Sequence, residues 1–234
     1  MITRAIAAAL AVAALGAAAS LPAQPAGKAA ARDWTRAVSA TPDGGFRVGN
    51  PAAPMKLVEY GSLTCDHCAH FARDGMPKLL AGPVKSGQLS FEFRNFVRDP
   101  YDMTAALLAR CAGPGDFFAL TDALFDAQRD WIARYQAMTP AQSAEMNALT
   151  QGQKIDKLAE FGGLYAIAAR HGVPAAKAKA CVTDEAAFKK LAEMRKIAAE
   201  RDQLQGTPHF LLNGKPLAVH DWAGLEPLLK TPAG

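Results

Sequence analysis

The pair of cysteines Cys65 and Cys68 constrains this chain more than any other feature, because a C-x-x-C spacing allows two thiols to close into a disulfide. Residues 55–60 before the pair are typical of a buried strand, and residues 69–80 after it have the apolar spacing of an amphipathic helix. A dithiol at a strand-to-helix junction indicates a redox-active pair. The helical spacing places Cys68 on the buried side and Cys65 in an exposed first turn.

Two other interpretations of these cysteines stay open. The two thiols together with His67 or His70 are possible zinc ligands, although zinc usually takes four and no second close pair of cysteines or histidines follows. A plain structural disulfide is the other interpretation, but it leaves the position of the pair at the junction unexplained.

The N-terminus has the pattern of a secretory signal. Arg4 precedes the uncharged run 5–19, and small residues with Pro22 follow, which predicts a signal peptide of about residues 1–23. An uncleaved membrane anchor is the alternative, although the run is short for a span. Residues 24–45 are predicted to be a linker or N-terminal extension. Export would place the mature protein in an oxidising compartment, where disulfides persist.

Composition limits the class of protein. Half of the residues are hydrophobic, and the roughly 210 residues after the signal suit one domain with a sizeable core. A net charge of +4 without a dense basic patch does not suggest a nucleic-acid partner. The four cysteines are even in number, which fits two pairs.

The order of predicted elements indicates an α/β fold. Strand patterns occur at 55–60 and 88–96, helical patterns dominate from 101 to 203, and Asn213-Gly214 between apolar runs predicts a hairpin before a last helix. We therefore expect a mixed sheet flanked by helices, in a domain over residues 46–234 with a helical insertion at about 101–204.

The residues around Cys65 predict its ionisation. A helix N-terminus favours a thiolate, and a protonated His67 adds positive charge to the same turn. Asp66 opposes this, because its carboxylate repels an adjacent thiolate. We expect the pKa of Cys65 to be lowered on balance.

The chain resembles the DsbA-like thiol:disulfide interchange proteins of bacterial envelopes. The resemblance covers most of the mature chain and includes 49–51, 58–60, the phrase CDHCAHF at 65–71, the helical insertion, and QGTPHF at 205–210. It implies a thioredoxin-like fold, a periplasmic enzyme, no cofactor beyond the redox disulfide, and reduced or misfolded exported proteins as substrates. It also implies reoxidation by a membrane quinone-linked partner of the DsbB type, and we expect a monomer.

The resemblance assigns roles to further residues. It implies a cis peptide bond at Thr207-Pro208, a segment that lies against the disulfide and pairs with an extended substrate; an ordinary trans turn proline is the alternative. It also implies that Glu59 helps to move the proton of the buried cysteine. The alternative is an outward-facing Glu59, and a buried one is expected to have a raised pKa.

Cys111 and Cys181 lie near opposite ends of the helical block, and some envelope relatives have such a second pair. We therefore predict a structural disulfide between them, which stabilises by about 4 kcal/mol in the chain-entropy model. Two buried free thiols are the alternative.

Two departures from the family bear on redox strength. The chain has Asp66-His67 where the strong oxidants have Pro-His, and Thr207 also resembles isomerase and reductase relatives. We expect a potential between about −120 and −220 mV. A disulfide isomerase or reductase is the nearest alternative function, and a metal-binding or structural protein that uses the same side chains is the alternative from another class.

Overall fold

The structure is a computed structural model that describes residues 32–230, so the predicted signal segment lies outside the described residues. The strands are β1 (Val38–Ala40), β2 (Phe46–Gly49), β3 (Met55–Gly61), β4 (Leu89–Asn95), β5 (His209–Leu212) and β6 (Lys215–Pro216). The helices are α1 (Asp66–Asp74), α2 (Met76–Leu79), α3 (Pro100–Cys111), α4 (Phe117–Asp126), α5 (Gln128–Gln136), α6 (Pro140–Ala148), α7 (Gln151–Phe161), α8 (Leu164–Arg170), α9 (Ala175–Val182), α10 (Glu185–Glu200) and α11 (Trp222–Lys230). None of the helices between residues 32 and 230 has the length and apolar character needed to cross a bilayer.

The six strands of the described range form one mixed sheet in the order β1-β2-β4-β3-β5-β6. β3 and β4 run parallel, with Leu57 opposite Phe91, and the other neighbouring strands run antiparallel. Parallel strands need a crossover connection, which α1 and α2 supply. The predicted mixed sheet flanked by helices is confirmed.

The sheet begins earlier in the chain than the sequence predicted. β1 lies inside the segment 24–45 that was expected to be a linker or extension, and it pairs with β2 through Val38 and Val48. The strand at Phe46 is therefore not at the edge of the sheet, because β1 covers it. The boundary predicted at Phe46 is corrected to a point before Val38.

Both faces of β3 are covered, and this decides where its side chains lie. Successive strand residues point to opposite faces, yet Leu57–Gly61 are all buried. Leu57 belongs to the main core, whereas Val58 and Tyr60 pack with Ala198 of α10 on the other face. A polar side chain on either face of this strand is therefore inside the protein.

The chain between β4 and β5 is helical from α3 to α10, and it returns to the sheet with β5, just before the predicted turn. Asn213 and Gly214 have φ values of 51° and 79°, as the hairpin of a type I′ turn requires. This hairpin prediction is confirmed. The hairpin places β6 against β5, and β5 itself pairs with β3, the strand that leads to the C-x-x-C segment.

Candidate active site at Cys65 and Cys68

Cys65 is the N-cap residue of α1, and Ser62, Leu63 and Thr64 connect it to the end of β3. The Cys65 carbonyl accepts a hydrogen bond from the backbone N–H of Ala69 at 3.1 Å, so the first turn of α1 closes on the cysteine. Both thiols of the motif are free. The structure therefore describes the reduced dithiol.

The prediction that Cys65 lies in an exposed first turn is wrong, because the residue is only 2% exposed. The Gln128 side chain donates hydrogen bonds to the carbonyls of Leu63 and Cys65, each at 2.8 Å. The Cys65 sulfur lies 3.2 Å from the carbonyl oxygen of Thr207, to which the protonated form of the thiol donates a hydrogen bond. Helical periodicity could not predict that Cys65 is buried in this way, since Gln128 and Thr207 come from distant segments of the chain. The predicted burial of Cys68 is confirmed, at 0% exposed.

The surroundings lower the pKa of Cys65 to about 5. A hydrogen bond from the Cys68 side chain makes the largest contribution, because it favours the thiolate, while burial opposes it. The Thr207 side chain, the Cys68 backbone and the positive charge of Arg98 lower the pKa further. Cys65 is therefore ionised at neutral pH, the form that takes part in disulfide exchange. The predicted direction of this shift is confirmed.

The two residues between the cysteines are exposed at the start of α1. The carboxylate of Asp66 accepts a hydrogen bond from the backbone N–H of His67 at 2.9 Å. The effects of these two side chains on Cys65 stay predictions. Arg98, which the sequence did not single out, adds positive charge: its Nε donates to Ser62 Oγ at 2.9 Å and its Nη2 to Thr64 Oγ1 at 3.2 Å.

Glu59 lies inside the protein and is 2% exposed, so an outward-facing orientation is wrong. Its Oε1 has no hydrogen-bond partner among the described residues. Desolvation raises the pKa of Glu59 well above its usual range, and the negative charges of Cys65 and Asp122 add to this. The expectation that a buried Glu59 has a raised pKa is confirmed.

Burial also raises the pKa of the Cys68 thiol well above its usual range, and its hydrogen bond to Cys65 and the charge of Glu59 act in the same direction. The backbone N–H of Ser62 lies 3.5 Å from the Cys68 sulfur. The two cysteines therefore have opposite properties, with an ionised Cys65 beside a protonated Cys68.

The segment at Thr207-Pro208 faces the dithiol across the fold, 142 residues away in sequence from Cys65. The peptide bond between the two residues is cis. The carbonyl of Pro208 lies 2.9 Å from Nδ1 of His220, for which no sequence motif predicted a role. His220 thus helps to hold this segment in place.

Asp102 holds the loop that leads into Cys65. Its buried carboxylate accepts hydrogen bonds from Ser62 Oγ at 2.6 Å, the Leu63 N–H at 2.8 Å and the Arg98 N–H at 3.0 Å. Burial raises the pKa of Asp102 to about 7, although these hydrogen bonds lower it. An Asp-Pro pair at 99–100 signals a helix start in the sequence, but nothing in that signal predicts contact with the loop.

Cys111 at the end of α3 and Cys181 in α9 are joined by a disulfide with an S–S distance of 2.01 Å and a sequence separation of 70 residues. The bridge ties two helices of the insertion together. It is separate from the dithiol of Cys65 and Cys68.

The side chains considered as zinc ligands do not converge. His70 is exposed and lies 3.7 Å from Asp74, one turn further along α1. Within residues 32–230, no group of three or more histidine, cysteine, aspartate or glutamate side chains is arranged to hold a metal ion.

The family model described as thioredoxin matches residues 41–231 of the chain. Among solved structures, a protein-disulfide isomerase from Novosphingobium aromaticivorans is 37% identical with a TM-score of 0.75, over 79% of this chain and 97% of that one. The alpha-DsbA1 protein of Wolbachia pipientis shares the fold, with a TM-score of 0.63 at 22% identity over 78% of this chain and 87% of that one.

Curated relatives are similar in sequence as well. A protein of Rickettsia prowazekii whose name describes it as a protein-disulfide oxidoreductase is 26% identical over 173 residues, which are 74% of this chain and 55% of the relative. A relative from Rickettsia felis with the same description is 27% identical over 173 residues, 74% of this chain and 54% of its own length. The chain thus spans about half the length of the curated relatives it matches. The predicted resemblance to DsbA-like proteins is confirmed.

Proposed function

The chain belongs to the thioredoxin family, and from this we propose that it is a protein thiol:disulfide oxidoreductase of the DsbA type that introduces or exchanges disulfides in exported proteins. The observation that carries this proposal is the asymmetric dithiol. Cys65, with a pKa lowered to about 5, stands beside the buried Cys68, whose pKa is raised. An ionised thiol with a protonated partner is what disulfide exchange requires.

The proposed reaction starts from the oxidised Cys65–Cys68 pair. A substrate thiolate attacks the Cys65 sulfur, a mixed disulfide forms, and the electron pair of the broken bond goes to Cys68. A second substrate thiolate then attacks the substrate sulfur of the mixed disulfide, and Cys65 leaves as a thiolate. Its low pKa makes Cys65 a good leaving group, so the substrate becomes oxidised and the protein reduced.

Glu59 is proposed to handle the proton of Cys68. Its raised pKa keeps a proton available inside the protein, and the Cys68 sulfur must take one when the mixed disulfide forms. In the reverse direction Cys68 must lose that proton before it can resolve a mixed disulfide. Thr207 and Pro208 are proposed to hold the substrate backbone, because the Thr207 carbonyl already lies 3.2 Å from the Cys65 sulfur.

The periplasm is the proposed compartment. The signal-like sequence at 1–23 supports export, and the Cys111–Cys181 disulfide suits an oxidising environment. Reduced or misfolded exported proteins are the proposed substrates. A membrane quinone-linked partner of the DsbB type is proposed to reoxidise the pair, which needs no cofactor of its own, and we propose that the protein acts as a monomer.

A disulfide isomerase is the second candidate, since the solved relative at 37% identity is named as one. Equilibration of the mature protein with glutathione buffers separates the two directions. A potential less negative than about −180 mV supports a net oxidant, whereas a value near −230 mV or below indicates an isomerase or reductase kept reduced by a donor. Failure of Cys65–Cys68 to exchange with glutathione at all, or stoichiometric zinc or copper in the purified reduced protein, would contradict the proposal.

A further inference from the structure

An apolar groove with a cationic rim lies beside the active-site loop and has a volume of about 370 Å³. This volume is within the range of small-ligand sites, roughly 300–1,000 Å³. Its apolar wall includes Val97, Met103, Ile155 and Phe188. Val97, Met103 and Ile155 are nearly fully buried, so this wall of the groove is formed by side chains of the hydrophobic core.

Three cations line the same groove, namely Arg98, Lys154 and Arg195. None of the three side chains forms an ion pair within residues 32–230; Lys154 donates a hydrogen bond to the side-chain amide oxygen of Asn147 at 2.7 Å. Within the described residues, these three cations are therefore not held in ion pairs and can meet an anionic partner.

One carboxylate, that of Asp99, also lines the groove and offsets one of the three positive charges, which leaves a positive balance. Oδ1 accepts from the Asp102 N–H at 2.9 Å and Oδ2 from the Thr64 hydroxyl at 2.8 Å. The first of these contacts caps helix α3, and the second joins Asp99 to the loop before Cys65.

The groove is connected to the reacting thiol through Arg98. This side chain lines the groove and also donates to Ser62 and Thr64, the latter next to Cys65. A peptide in the groove therefore contacts a side chain that is hydrogen-bonded to the residue next to Cys65. The segment of this chain outside the structure is an unsuitable occupant, because residues 1–31 contain Arg4 and Lys28 but no carboxylate side chain.

We propose that this groove binds an acidic segment of the protein substrate, with an apolar side chain against Ile155 and Phe188 and carboxylates at Lys154 and Arg195. This inference rests on the proposed oxidoreductase function and adds a substrate class to it. Complementary charge raises the association rate and selects among partners, and it is weakened by salt.

Two labelled peptides of equal length test this site, one with a Glu-Leu-Glu sequence and one with Lys-Leu-Lys, each with two cysteines replaced by serine. Fluorescence anisotropy at low salt is expected to show at least about fivefold tighter binding of the acidic peptide to the oxidised protein. The double variant Lys154→Glu/Arg195→Glu is expected to lose this preference.

The matched control is Lys190→Glu/Lys177→Glu, which changes the net charge equally. Lys190 lies on the opposite side of α10 from Phe188, about 200° around the helix, and Lys177 is exposed on α9. This control is expected to keep the acidic preference. A preference that is absent in the wild type, or lost equally in both double variants, would overturn the proposal.

The cysteine-containing forms of the peptides separate this inference from the general function. Oxidation of the acidic form is expected to be faster by a similar factor, while the rate with glutathione stays the same in both double variants. Loss of reaction with glutathione in the wild type would instead contradict the oxidoreductase function. Binding of anionic phospholipid vesicles without any preference between the peptides, or self-association of the protein through the groove, would also overturn the inference.

Discussion

The sulfur of Cys65 lies 3.2 Å from the carbonyl oxygen of Thr207, across a sequence separation of 142 residues. This contact places the reactive end of the C-x-x-C motif against the backbone where a substrate strand is proposed to pair. It also helps to bury the cysteine, which is 2% exposed in the reduced protein. We therefore predict that a substrate reaches Cys65 at the Thr207-Pro208 segment.

The ionisation of Cys65 is expected near pH 5 in the reduced protein. Thiolate absorbance at 240 nm should rise through that pH, and Cys65→Ser should abolish the transition. Cys68→Ala should move it to higher pH, because the hydrogen bond from Cys68 makes the largest contribution. An unchanged midpoint in Cys68→Ala would contradict this assignment.

The same shift links stability to pH. The folded pKa of Cys65 lies below the unfolded value of about 8.5, so its stabilising contribution is present above that value and is lost as pH falls through about 5. The disulfide form has no Cys65 thiol to titrate. Urea unfolding should therefore show the reduced protein gaining stability relative to the oxidised one between pH 5 and pH 8.5.

Replacement of Asp66 is expected to make the pair more oxidising, because a carboxylate beside a thiolate disfavours the reduced form. Asp66→Pro places proline at the first helical position, where it is well tolerated. A tenfold change in the exchange equilibrium corresponds to a shift of about 30 mV in glutathione buffers. Asp66→Asn is the matched variant that removes only the charge. An unchanged or more negative potential in both variants would rule out this role for Asp66.

Glu59→Gln is expected to slow resolution of a mixed disulfide by Cys68 by at least about tenfold, because the proton acceptor is lost. It should also alter the dependence of stability on pH. A raised folded pKa gives stability that is present below the unfolded pKa and lost as pH rises through the folded pKa. The variant should therefore gain stability relative to the wild type between pH 4 and pH 8. The expected gain in unfolding free energy is about 1.4 kcal/mol for each pH unit by which folding raises the pKa of Glu59. Equal urea midpoint differences at both pH values would be inconsistent with a raised pKa.

Gln128→Ala is expected to destabilise the protein by about 1–3 kcal/mol, because the carbonyls of Leu63 and Cys65 lose a buried donor. Gln136→Ala on the exposed side of the same helix is the matched control and should change little. Urea unfolding measures both. If Gln136→Ala lowered the unfolding free energy as much as Gln128→Ala does, the effect would come from helix α5 and not from the active-site loop.

The bridge between Cys111 and Cys181 is expected to resist alkylation in the native protein, while Cys65 and Cys68 are alkylated after mild reduction. Mass spectrometry after blocking of free thiols shows which of the four cysteines have been alkylated. Closure of a loop with a sequence separation of 70 residues predicts that Cys111→Ser/Cys181→Ser loses about 4 kcal/mol of unfolding free energy. Alkylation of both cysteines in the oxidised native protein would show that the bridge is absent in solution.

Local patterns in the sequence were sufficient for several elements. The C-x-x-C motif at the start of a helix, the burial of Cys68 and the Asn213-Gly214 hairpin all depend on residues close together in the chain. Helix and strand periodicities and turn conformations are local properties, so the sequence reports them directly. The type of fold followed from their order.

Tertiary structure alone decided the surroundings of the thiols. Glu59 is buried because both faces of β3 are covered, and the strand pattern by itself left its orientation open. Gln128 and Thr207 bury Cys65, although the helical pattern predicted exposure. The sequence separation is 63 residues between Cys65 and Gln128 and 142 residues between Cys65 and Thr207. Long-range strand pairing and helix packing determine which distant polar groups meet, and hence which thiol ionises, whereas local sequence periodicity carries no information about those pairings.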